Sequence, residues 1–178
     1  MTSPYVHYAD ANTPYGPFAS GSESLDWVTL RIQSCKGRFY MPEFRDELAK
    51  LGRGGKSYHL PVDLRPVEPG RVEATLLLER EDGLAAHQVS LGDGAKFTLP
   101  LAGSSAQHVL VIRGEVVCGD RHFGPRACLE IRKEDGRVEL QPTMGMSCEV
   151  LLLRYPEGEL EPGREKFARS EETQTSNH

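Results

Sequence analysis

From about residue 72 onward, apolar and polar positions alternate in short runs: VEATLLLER, AAHQVSL, AKFTLPL, HVLVIRGEVV, HFG, ACLEI, VELQP and CEVLLLRYP. Between several of them stand the turn sequences EDG, GDG, GSS, GD and a second EDG. A period of two places alternate side chains on opposite faces of a strand, and Gly and Asp supply the backbone freedom that tight turns require. Many short strands with little helix predict a mainly β fold, a sandwich or a closed barrel.

The stretch 107–131, QHVLVIRGEVVCGDRHFGPRACLEI, organises this half. Apolar Val109 to Ile112 lead into Arg113-Gly114-Glu115; Val116-Val117-Cys118 then meets Gly119-Asp120, and a short second run ends at Gly124-Pro125. Gly at the first central position of a two-residue loop predicts a type II′ hairpin, whose twist matches that of its strands.

The first 70 residues are less regular. Residues 1–24 mix Pro, Gly and small polar residues with Tyr5, Tyr8, Tyr15 and Phe18, and read as an extended arm that crosses a partner subunit or stays solvated. Alternation in WVTLRIQ, residues 27–33, predicts a half-buried strand, with RFYM as its hairpin partner after the Lys36-Gly37 turn. Pro42, early acids, Lys50 and Gly52 predict one helix over 42–51, with Phe44, Leu48 and Leu51 on one side. RGGKS lacks the spacing of a phosphate loop. The three prolines of YHLPVDLRPVEP make that segment an edge or a long connection, and residues 157–178 read as a polar, disordered tail.

The order apolar strand, Gly-Glu, short strand, tight turn, Gly-Pro resembles the central hairpin of the cupin superfamily, small double-stranded β-helix barrels of the jelly-roll kind. The resemblance runs over about residues 72–156, and the C-terminal half is most similar to the metal-less half of pirin-like cupins. It implies a cupin-like barrel domain over 25–156, in which 25–70 adds strands and the helix or forms a degenerate first half. Cupins usually carry His-x-His and Glu ahead of the Gly-Glu and a further His after the Gly-Pro strand, and these bind a metal. Counted back from Gly114, the Glu position is Gln107 and the His positions are Pro100 and Ala102, and beyond Gly124-Pro125 the next His is His178. The resemblance therefore implies a barrel without that metal set, and a homodimer formed through edge strands and exchanged arms.

Composition narrows the function. With 178 residues, 38% apolar and 26% charged, the chain has the make-up of an ordinary soluble protein with a full core. A net charge of −5 gives no basic footprint for nucleic acid. No run is long enough for a membrane span and the N-terminus has no signal-peptide pattern, so the expected location is cytoplasmic. Cys35, Cys118, Cys128 and Cys148 form no CxxC pair and read as buried free thiols.

The candidate chemistry follows from strand alternation. If Gln107 points into the barrel, as the resemblance implies, so do Val109 and Val111, while His108 points out. Gln107, Val109, Cys118 and Phe97 are then the expected ligand-binding residues; Gln107 is either a satisfied core amide or the group that orients a ligand. Cys118 and Cys128 flank the hairpin and could meet across it, and Cys118 could act as a nucleophile if a cation lowered its pKa. Met144 and Met146 read as core filling or a pocket rim, and Ser104-Ser105 lacks a hydrolase elbow. The expected cofactor is none. The alternative is a divalent metal, Fe, Ni, Mn or Zn, held by His59, His87 and Glu73 from distant strands. The leading function is the binding of a small organic molecule in the barrel, with metal-independent isomerase, cyclase or lyase chemistry. A metal-dependent dioxygenase with non-standard ligands, and a non-catalytic regulatory or partner-binding module, are the alternatives.

Overall fold

The chain turns back on itself at Gly119-Asp120, and the barrel strands are arranged about that tip. Gly119 has a φ of 63° and Asp120 has no positive φ, as a type II′ turn requires. The computed structural model describes residues 4–10, 13, 28–30, 42–50, 56–100 and 107–155, apart from the side chains of Leu48 and Ala49. Among these lie β1 (Tyr5–Ala9), α1 (Arg45–Lys50), β2 (Ser57–Pro61), β3 (Val72–Glu79), β4 (Ala85–Leu91), β5 (Phe97–Thr98), β6 (Gln107–Arg113) and β7 (Val116–Cys118). They continue with β8 (Arg121–Phe123), β9 (Cys128–Ile131), a 3-10 turn at Lys133–Asp135, β10 (Glu139–Pro142) and β11 (Cys148–Arg154).

Paired residues lie at nearly equal chain distances on either side of the tip. Val116 pairs with Phe123, Val109 with Leu129, Phe97 with Leu140 and Leu91 with Cys148, all antiparallel. The described residues between 85 and 154 thus form the two arms of one long hairpin. Rolling it brings β10 beside β7 and β11 beside β6, which closes two sheets of order β5-β10-β7-β8 and β3-β4-β11-β6-β9. Two antiparallel sheets rolled from one ribbon are a jelly roll, the cupin-like architecture expected from the hairpin.

The inward faces of both sheets meet in one apolar core. Val89, Leu91, Val109, Val111, Leu129, Ile131, Val150 and Leu152 come from the five-stranded sheet; Val116 and Leu140 come from the other, with Phe97, Cys118 and Phe123 packed against them. Every second residue of β4, β6 and β11 contributes, so the period of two read in the sequence is the core itself. Each fully buried Val or Leu contributes roughly 1.5 to 3 kcal/mol.

The outward face of the five-stranded sheet carries buried polar residues: Gln88, Ser90 and Glu149. The proline-rich connection after β2 is fastened there. The Gln88 amide accepts from the Asp63 N–H (3.1 Å) and donates to the Asp63 carbonyl (2.6 Å). Arg113 donates to Glu149 Oε1 (2.5 Å) and to the Arg65 carbonyl (3.2 Å).

By its contacts the chain divides into two units, residues 4–5 with 60–155 and residues 6–59 among those described. In the latter lies the helix expected over 42–51. Residues 42–44 form a turn and α1 begins only at Arg45, whose N–H donates to the Pro42 carbonyl (3.2 Å). Asp46 and Glu47 stand in its first turn and Lys50 in its last, as the macrodipole favours. Within the expected arm, Tyr5–Ala9 forms β1 and pairs with β2 of the same chain, so these backbone groups are satisfied in-chain. Of the strand expected over 27–33 only 28–30 are described, and those are not in a strand. RFYM, Cys35, Ser104-Ser105 and the tail 157–178 lie outside the described residues.

One turn holds strain. In Gly124-Pro125-Arg126-Ala127, closed by the Ala127 N–H on the Gly124 carbonyl (3.1 Å), Arg126 has a φ of 73°. A type II turn with Pro second favours Gly third. Arg126→Gly is expected to stabilise the fold by roughly 0.5 to 1 kcal/mol, the left-handed cost less the entropy Gly adds to the unfolded chain. Thermal unfolding should show a midpoint raised by a few degrees, and an unchanged or lower midpoint would refute the strain.

Candidate functional site at one end of the barrel

Strand β6 shows the alternation that the site depends on. Gln107, Val109 and Val111 are at most 1% exposed and face inward. His108 is half-buried on the other face, with its ring edge-on to Tyr155 at 5.3 Å. Gln107 Nε2 donates to the Pro100 carbonyl (2.9 Å), so the amide at the expected carboxylate position is engaged with the main chain. A buried amide leaves little desolvation cost when its donor is satisfied in this way.

Rolling the ribbon sets two further polar side chains at the same end. Directly opposite Gln107 on β11 is Arg154, and opposite Arg154 on β4 is Ala85. Residues directly opposite in an antiparallel pair share a face. Two residues along β4 is His87, the partner of Leu152. Gln107, Arg154 and His87 therefore cap the inward face at one end, and beyond them Val109, Leu152 and Val89 close the interior with apolar groups. The Arg154 Nε–H donates to the Gly83 carbonyl (2.9 Å), which fixes the guanidinium at the rim. Burial first, and then the Arg154 charge, hold the His87 imidazole below its ordinary pKa against the opposing pull of Glu79, so it is neutral at pH 7.

The other expected binding residues share this interior as packing groups. Val109 is fully buried, and Phe97 and Cys118 flank Leu140 as its partners on either side in the four-stranded sheet. The Cys118 thiol is pushed up by burial, which outweighs the lowering by Arg121, so no thiolate nucleophile forms there at neutral pH. Cys118 and Cys128 do not meet across the hairpin: they lie in different sheets, and Cys128 is exposed. Cys148 is a buried core thiol pushed up to about 11.

Of the alternative metal residues, Glu73 and His87 lie on opposite faces of the five-stranded sheet. Glu73 pairs with Ser90 and faces outward, near Arg71, whereas His87 faces inward. His59 stacks on His7 with ring centroids 4.4 Å apart. Among the described residues no three His, Cys, Asp or Glu side chains are grouped to hold a metal ion. His122 is exposed and bonds Glu115 through Nδ1 (2.8 Å), with Thr143 donating to the same carboxylate oxygen (2.6 Å). Met144 and Met146 are not core: they are exposed on the turn before β11, where Gly145 has a positive φ and its N–H donates to Asp93 (2.8 Å).

Arg154 escaped the sequence reading. Its signal was present, because Cys148, Val150, Leu152 and Arg154 alternate along one face and a charge ends that apolar stripe. Its pairing with Gln107 arises only from the rolling of the ribbon.

No family model and no curated protein matches the chain. Among solved structures it is similar to the cupin domain of an XRE family transcriptional regulator from Enterobacter cloacae, at 17% identity and a TM-score of 0.42 over 48% of this chain and 98% of that one. It is also similar to a cupin superfamily protein from Desulfitobacterium hafniense, at 14% identity and 0.42 over 52% and 84%. A third is the Cnp3 cupin domain of Schizosaccharomyces pombe, at 14% identity and 0.40 over 57% and 79%. The jelly roll itself stands on the strand pairing. No helix among the described residues is long and apolar enough to cross a membrane.

Proposed function

We propose that this cupin-fold chain binds a small organic molecule at the end of its barrel capped by Gln107, His87 and Arg154. The observation that carries this reading is the convergence of three polar side chains on one end of an otherwise apolar interior. Ligand sites are built from a few placed polar groups against apolar walls, which is the pattern at this end of the barrel. His87 is the group suited to move a proton, since its neutral imidazole has a lone pair at pH 7. A reaction here would accordingly be proton transfer within a bound molecule, as isomerases, cyclases and lyases perform.

The test is a fragment screen on the full chain followed by NMR. Bound fragments are expected to move the Gln107 side-chain amide and the His87 ring resonances together, while His122 on the outer surface stays put. Fragments that perturb only outward residues, or a broad library that perturbs neither Gln107 nor His87, would refute the barrel-end site.

A further inference from the structure

Six of the described cations pair with carboxylates. Arg65 pairs with Asp63, Arg71 with Glu68 and Glu73, Arg80 with Asp82, Lys96 with Glu139, Arg113 with Glu149 and Arg132 with Glu130. Arg154 differs. It is half-buried, its guanidinium is held only through Nε on the Gly83 carbonyl, and no carboxylate among the described residues pairs with it. Its neighbours on the inward face are an amide, Gln107, and an imidazole, His87. A partly desolvated cation without a counter-charge favours any anion that reaches it, and a guanidinium whose Nε is already engaged still offers Nη donors in the plane a carboxylate matches.

We infer that the ligand of the barrel end is a small carboxylate, its anionic group seated on the Arg154 guanidinium beside Gln107 and His87. This rests on the binding site proposed above and adds the charge of what it takes. A single arginine fork offers one positive charge, which one carboxylate balances, and its Nη donors can meet the carboxylate oxygens in one plane. His87 and the Gln107 carbonyl oxygen then stand where they can meet the hydroxyl, amino or second carboxyl group of the same molecule.

Titrations of the full chain with malonate, with malonamide as the neutral isostere and with inorganic phosphate, at matched ionic strength, test the assignment. Malonate is expected to raise the thermal midpoint and to shift the His87 resonances, with malonamide at least tenfold weaker, the difference a charge-assisted pair makes. Arg154→Gln is expected to weaken malonate about tenfold or more and leave malonamide unchanged. Arg154→Lys, which keeps the charge and loses the fork, should fall between, and it serves if the glutamine variant does not fold. Equal binding of malonate and malonamide, or malonate binding indifferent to both substitutions, would overturn the carboxylate while leaving the barrel-end site standing. Phosphate binding more tightly than malonate would overturn it in favour of a phosphorylated ligand. If none of the three probes shifts His87, the carboxylate assignment fails, and the fragment screen decides the fate of the site separately.

Discussion

Gly114→Val is expected to destabilise the fold by about 4 kcal/mol, lowering the thermal midpoint by roughly 10 °C and leaving a fraction of the protein insoluble on expression. Two costs add at this position. Gly114 has a φ of 74°, which a β-branched residue adopts only with strain. A Cβ built there would also collide with the Ser147 carbonyl oxygen and approach Cys148 Cα to 2.9 Å. Neither obstacle is the flexible end of a side chain, so β6 or the start of β11 would have to move. Gly114→Ala, which keeps the collision and lessens the strain, should lie between valine and wild type. A valine variant within a degree of wild type would mean that the two strands do not approach as described, and the closure of the five-stranded sheet would be in doubt.

The second large effect lies on the outward face of that sheet. Glu149 is 2% exposed, its Oε1 accepts from Arg113 and its Oε2 is buried with no hydrogen-bond partner. Burial raises its carboxyl above the ordinary range and outweighs the opposing Arg113 charge. A carboxyl whose pKa is raised by folding makes the protein less stable as pH climbs through that raised value, because the folded state must ionise a buried group. Arg113→Met removes the cation paired with Glu149 and raises the carboxyl further. The cost is expected to be roughly 2 to 3 kcal/mol at about pH 8, discounted because the Arg113 guanidinium is partly solvated, and to shrink markedly at about pH 5. Adding Glu149→Gln should recover most of the loss at high pH, since the amide needs no counter-charge. Denaturant unfolding of the single and double variants at the two pH values measures this, and a loss independent of pH would show that Arg113 acts by packing alone.

Arg113 also donates to the Arg65 carbonyl, so the same substitution loosens the proline-rich connection that Gln88 holds at Asp63. Limited proteolysis of the Arg113→Met variant would reveal that loosening as new cleavage among residues 62–69.

The sequence by itself determined most of the strands from residue 72 onward and the hairpin tip, and with the family resemblance the direction in which the side chains of β6 point. By contrast, β1 lies in a stretch read as an arm, and residues 28–30, expected in a strand, are not in one. Strands and turn are local properties: a period of two puts Gln107 and Val109 on one face, and Gly before Asp in a two-residue loop fixes the turn at Gly119, while the resemblance supplied which face is inward. Local rules left Met144 and Met146 as core filling or a pocket rim, and the tight turn that leaves them exposed removes the core reading. Only the tertiary structure decided which polar groups share a space. Arg154 is 47 residues from Gln107 in the chain and reaches it because the rolled ribbon lays β11 against β6. His87 joins them because β4 lies on the other side of β11, while Glu73, read as its possible companion, falls on the opposite face. Register between distant strands is set by how the whole core closes, and alternation within any one strand carries no information about it.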